Sequence, residues 1–136
     1  MNIVPFLPEH LKGLIPQAQQ SYIPDDYAEA LRGTPAYSVV ENGKTYIVAG
    51  IVEHWPGRAI AWAMLDREAG SRMLAATRAV RRFLDGCGVR RVEMAVDCDF
   101  PAAHRWARLL GFHMECERMQ AYTPEGRDCA LYVRIR

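Results

Sequence analysis

The sequence predicts a mixed α/β fold in one domain, residues 1–136, with a mostly antiparallel sheet of about seven strands and about four helices. Three observations carry that reading. Asn42-Gly43 sits between two apolar, β-branched runs, the strongest short hairpin signal, because both central residues of that turn need positive φ. Residues 70–86 repeat apolar side chains at helical spacing. A strand on either side of that helix, 58–65 and 91–96, makes a strand–helix–strand unit, which pairs its strands in parallel.

In chain order, residues 2–7 (NIVPFL) read as a strand, and Pro5 assigns it to a sheet edge because proline donates no ladder hydrogen bond. Residues 8–20 read as a weak helix broken near Pro16. Residues 24–32 read as a better one, with Pro24, Asp25 and Asp26 suiting its start and Gly33 its stop. Strands 36–41 and 44–52 flank Asn42-Gly43, and Pro56-Gly57 turns the chain into strand 58–65. In helix 70–86, Met73, Ala76, Thr77, Val80, Phe83 and Leu84 face the core, while Arg78, Arg81, Arg82 and Asp85 face water. Strand 91–96 alternates Val92, Met94 and Val96 against Glu93 and Ala95. Helix 101–110 opens with Asp99 as cap, with Trp106, Leu109 and Leu110 at core spacing and Arg105 and Arg108 outside. Strands 114–122 and 129–135 close the sheet, with Tyr122 and Tyr132 packing across it.

Composition narrows the function classes. Half the residues are apolar and the formal net charge is +1, which excludes a disordered chain. No run approaches the ~18 apolar residues of a membrane helix. The N-terminus lacks a secretory pattern, so Cys87, Cys98, Cys116 and Cys129 are expected as free thiols in a reducing cytoplasm. His10, His54, His104 and His113 have no cysteine or carboxylate at ligand spacing, and no metal site is expected. Residues 67–91 hold seven arginines and two acids, a net +5 that reads either as a solvated helix face or as an attraction for phosphate. Aromatic residues are not interleaved with those arginines, which argues against a single-stranded nucleic-acid platform. Trp55, at a hairpin tip, is a candidate contact residue.

The start of the long helix, Asp66-Arg67-Glu68-Ala69-Gly70-Ser71-Arg72, has chemistry of its own. First-turn amides lack intrahelical acceptors and the dipole there is positive, so glycine and small residues at that place suit a pyrophosphate. The element order, this loop, and the stretch 88–112 ending in Leu110-Gly111-Phe112 together resemble the GNAT family of acetyl-CoA-dependent N-acetyltransferases. The run HRWARLLGF is also similar to small GNAT-like proteins of tailed phages, of the T7 Gp13 type.

The resemblance implies acetyl-CoA or coenzyme A as co-substrate and an unidentified amine as acceptor. Backbone groups of Met64 and Leu65 and the loop residues Arg67, Ala69, Gly70, Ser71 and Arg72 would hold the coenzyme. Arg67 and Gly70 match the family motif R/Q-x-x-G-x-G/A, whereas Arg72 stands at its second small position. Arg72 either pairs with a phosphate or fills the cradle; a register shifted by one puts Ala69 and Ser71 in the small positions instead. The family's helix tyrosine falls on Ala107, its asparagine on Phe100, and strand 60–64 has no carboxylate, which leaves Glu53 and His54 as candidate catalytic bases. These departures keep open an alternative, a non-catalytic GNAT-fold binding or assembly protein, in host cytoplasm or virion if phage-encoded.

Overall fold

The computed structural model describes residues 1–16 and 27–136. Its sheet has seven strands: β1 (Asn2–Pro5), β2 (Ala36–Glu41), β3 (Lys44–Trp55), β4 (Arg58–Leu65), β5 (Arg91–Asp97), β6 (His113–Met119) and β7 (Cys129–Ile135). Their order is β1-β2-β3-β4-β5-β7-β6. Among the described residues there are three α-helices, α1 (Tyr27–Ala30), α2 (Met73–Gly86) and α3 (Pro101–Leu109), and two 3-10 turns at Pro8–Leu11 and Gly70–Arg72.

The expected architecture forms: β1 lies at a sheet edge, as Pro5 requires, and Asn42 and Gly43 take φ of 52° and 77° at the β2–β3 turn. β4 and β5 pair in parallel, with Arg58 opposite Arg91 and Ile60 opposite Glu93, while β1–β2, β2–β3, β5–β7 and β6–β7 are antiparallel. Several boundaries move. β1 stops at Pro5, and β3 runs on through Trp55. The helix expected over 8–20 is only the turn Pro8–Leu11 as far as it is described, and its remainder, 17–20, lies outside the described residues. Of the helix expected over 24–32, Tyr27–Ala30 is helical and residues 24–26 lie outside the described ones.

The residues pack as two compact units. The first holds Met1–Val52 and Ala61–Ala76. In it Phe6, Ala28, Leu31, Ala36 and Val48 form one buried cluster, with Leu11, Leu14, Val52 and Trp62 packed against it, and Val39, Ile47, Ala69 and Ala76 form a second. Burying a side chain such as Ile47 is worth about 1.5–3 kcal/mol.

The second unit holds Glu53–Ile60 and Thr77–Arg136. Its core includes Val92, Met94, Val96, Trp106, Leu110, Tyr132 and Val133. Trp106 is buried as its spacing predicts, and its indole donates to Thr77 Oγ1 at 2.8 Å, which ties α3 to α2. Leu109 is a correction: it is exposed rather than core, since a short helix docks one stripe and Leu109 falls beyond it. Glu93 is another, buried where alternation predicted a wet face, because Arg58 grips its carboxylate on one side and Arg91 approaches at 3.5 Å on the other. Tyr122 lies past the end of β6 and is exposed, while Tyr132 packs between Met94 and Met114 in the ladders.

Candidate functional site

The chain leaves β4 at Leu65 into a turn built on one buried carboxylate. Asp66 is fully buried, accepts from the backbone N–H groups of Ile15 and Glu68 at 2.8 Å each, and has Lys44 Nζ at 3.4 Å. Burial pushes its pKa up, but the Glu68 and Ile15 amides and Lys44 outweigh that, and it ends below the ordinary carboxylate value. Arg67 follows with its backbone bound to Ile15 O and its Nε to Pro16 O at 3.1 Å. The charge that Asp66 brings to this loop is thus answered by Lys44 and by amides from two parts of the chain.

Asp66 also makes the loop acid-sensitive. A folded-state pKa below the unfolded one contributes stability that is fully present above about pH 4 and is lost as pH falls through the folded value. Asp66→Asn is therefore expected to cost about 2 kcal/mol at neutral pH and to flatten the acid limb of a denaturant-melt series across pH 2–7. An unchanged acid limb would show that Asp66 does not anchor the loop.

After Asp66 the amides divide. Ala69 N donates to Asp66 O and Arg72 N to Ala69 O, whereas Gly70 and Ser71 N–H groups have no acceptor among the described residues. Gly70 takes φ +26°, and a Cβ built there meets nothing within 4 Å, so the space over it is open. Gly70 and Ser71 are exposed, and the helix they begin continues through α2. Two free amides, a glycine that lets a ligand come close and a positive helix end are what an anionic phosphate group requires.

The Arg72 guanidinium lies 3.7 Å from the Tyr46 ring centroid, and Nε donates to Glu41 Oε2 at 2.7 Å. Stacking and ion pairing draw the side chain onto β2 and β3. Met64 is buried and Leu65 half-buried at the end of β4.

In the second unit, Glu53 and His54 are exposed at the end of β3, and their side chains make no hydrogen bond or ion pair among the described residues. Trp55 beside them is 58% exposed, with Arg58 stacked 4.6 Å from its ring. Ala107 is fully buried in α3, and Phe100 precedes that helix. Asp99 is not the cap expected of it: the N-cap position falls on Phe100, no side chain caps α3, and the Asp99 carboxylate lies 3.6 Å from Arg127 Nη2.

One network escaped the sequence reading. Arg127 Nε and Nη2 donate to Asp97 at 2.5 and 3.0 Å, and with that pairing first and burial opposing it the Asp97 pKa is lowered. His104 links the Tyr132 hydroxyl (2.7 Å) to the Asp97 carbonyl (3.0 Å). A carbonyl only accepts, so in the neutral ring Nε2 carries the proton and Nδ1 accepts from the buried phenol. Separations of 7, 28 and 30 residues hide such a network from any local pattern. Burial pushes the Cys129 thiol up to about 11 and raises that of Cys98 too, so neither is a thiolate nucleophile at neutral pH.

No protein-family model matches the sequence, and no curated protein matches it. Solved structures do match. Ard1 from Thermoplasma volcanium superposes with a TM-score of 0.82 at 17% identity, covering 98% of this chain and 96% of that one. The ribosomal-protein-S18-alanine N-acetyltransferase of Escherichia coli gives 0.79 at 16% identity, covering 98% and 92%. The Salmonella typhimurium protein yncA, solved with its cofactor acetyl-CoA, gives 0.70 at 15% identity, covering 99% and 93%. A Bacillus anthracis acetyltransferase of the GNAT family also matches, with a TM-score of 0.70. The chain has the fold of these proteins.

Proposed function

We propose that the protein is an N-acetyltransferase that moves an acetyl group from acetyl-CoA to an amine. The observation that supports this most is the pair of unpartnered amides at Gly70 and Ser71, under open space, in the turn after β4 of this fold. They would hold the pyrophosphate, with Ala69 and Arg67 shaping the turn and Met64 and Leu65 bordering the pantetheine arm. Arg72 would support the loop from Tyr46 and Glu41.

In this reading the amine nitrogen attacks the thioester carbonyl carbon, the carbon–sulfur bond breaks, and the coenzyme leaves as its thiol. Positioning supplies most of the acceleration. Glu53 or His54 would take the proton from the amine. Ala107 has no proton to give, so the departing sulfur would be protonated by water. Positioned proton transfer contributes ~10²–10⁴-fold, and a slow transferase is the result to expect. A cytoplasmic enzyme fits the four free cysteines and the lack, among the described residues, of any helix long and apolar enough to cross a membrane.

The test is a thermal-shift titration with acetyl-CoA and coenzyme A, followed by turnover on an amine panel. Ligand at 100 times its dissociation constant adds about 2.7 kcal/mol. No shift with either ligand overturns the reading. Tight binding without turnover would move it to the non-catalytic binding or assembly protein, including the phage-virion version that the HRWARLLGF run brought into view.

A further inference from the structure

Trp62, on β4, holds the buried side-chain nitrogen that has no hydrogen-bond partner among the described residues. It packs against the buried cluster of Phe6, Ala28, Leu31, Ala36 and Val48. The Phe6 ring meets it edge to face, with centroids 5.7 Å apart and planes at 77°. That geometry offers the indole N–H at best a weak contact with a π face. A buried donor without an oxygen acceptor costs about 1–3 kcal/mol, and buried tryptophans ordinarily find one, as Trp106 does in Thr77.

The charges of this unit limit what a ligand here can be. Each carboxylate among its described residues is engaged: Glu9 and Glu29 by Arg32, Glu41 by Arg72, and Asp66 and Glu68 by Lys44. Among the described residues of the unit, none of these carboxylates is left without a cation. An N–H donor set in apolar walls suits an oxygen acceptor on an apolar body.

We propose that Trp62 Nε1–H is a recognition donor for the acceptor substrate, binding the carbonyl oxygen of an α-amino acyl compound with an apolar side chain. The inference rests on the transferase reading for the identity of its ligand as the acceptor. It assigns the acceptor to amines of the amino-acid amide or peptide N-terminus type rather than to polyamines. The nitrogen is covered in the free chain, so part of the apolar cluster gives way when the oxygen arrives.

The probes are leucinamide, isoamylamine (the same body without the amide) and spermidine, each with acetyl-CoA, on the full chain and on Trp62→Phe. Phenylalanine keeps a ring against Phe6 and deletes only the donor. Wild type is expected to favour leucinamide at least tenfold in kcat/KM over both other amines. Trp62→Phe should raise the leucinamide KM about tenfold while isoamylamine turnover, coenzyme A affinity and Tm stay unchanged or Tm rises, since removing an orphan donor relieves its burial. An unchanged leucinamide KM overturns the proposal, and so does an equal loss for isoamylamine or a fall in Tm, which would mark a packing role.

A second readout needs no turnover. The Trp62 indole N–H resonance, assigned by its loss in Trp62→Phe, should move on adding leucinamide and stay still with isoamylamine. If no amine is acetylated although coenzyme A binds, the transferase reading fails while this resonance still decides whether Trp62 recognises an α-amino acyl group. A resonance that ignores leucinamide overturns it.

Discussion

Gly70→Glu is expected to abolish coenzyme A binding, with a loss on the order of 10²-fold or more in calorimetry. Two effects act together. Glycine at φ +26° occupies a conformation that side chains adopt only with strain. The added carboxylate would then sit beside the Gly70 and Ser71 amides, where the phosphates of the ligand must go. Gly70→Ala separates these effects. Its Cβ meets nothing within 4 Å, so it carries the backbone strain alone, about 1 kcal/mol, and should bind within a few fold of wild type. Wild-type affinity in Gly70→Glu would retire this turn as the phosphate site.

The second large effect is expected at Ala107→Tyr. Resemblance to the acetyltransferases puts their helix tyrosine at this position, which makes a gain in rate the natural hope. The structure points the other way. Ala107 is 0% exposed, and its carbonyl already accepts from Phe112 N at 3.0 Å, closing the end of α3. A phenol ring there overpacks the core and is expected to lower stability by about 3 kcal/mol, seen as a depressed Tm and loss of soluble protein. A variant that melts like wild type and turns over faster would show that position 107 opens toward the reacting groups.

Much of the fold was legible because its signals are local. Asn42-Gly43 needs only its own backbone angles to make a hairpin. Pro5 names an edge strand without help from its neighbours. The α2 periodicity and the parallel β4–β5 pairing follow from one strand–helix–strand run. The misreadings fall where a distant partner decides. Alternation placed Glu93 in water, but Arg58, 35 residues earlier in the chain, lets β5 bury it. Spacing placed Leu109 in the core, but α3 is too short to bury more than one stripe. Asp99 has cap chemistry, but α3 starts one residue later, with Phe100 at the cap position, and the Asp99 carboxylate faces Arg127.

For the candidate site the division is the same. By itself the sequence determined the local shape of that turn: a glycine and small residues at the start of a helix leave amides unpaired whatever surrounds them. It also determined that a tyrosine is missing from the late helix. Only the tertiary structure decided the side chains around that turn. Arg72 is drawn off by Tyr46 and Glu41, and Asp66 is neutralised by Lys44 and by amides on both sides of the chain. Trp62 is left with a donor and no acceptor. Helix amides are oriented by the backbone of their own turn. A guanidinium or an indole is oriented by whichever partner the fold brings within hydrogen-bond distance, and those partners lie far away in the chain.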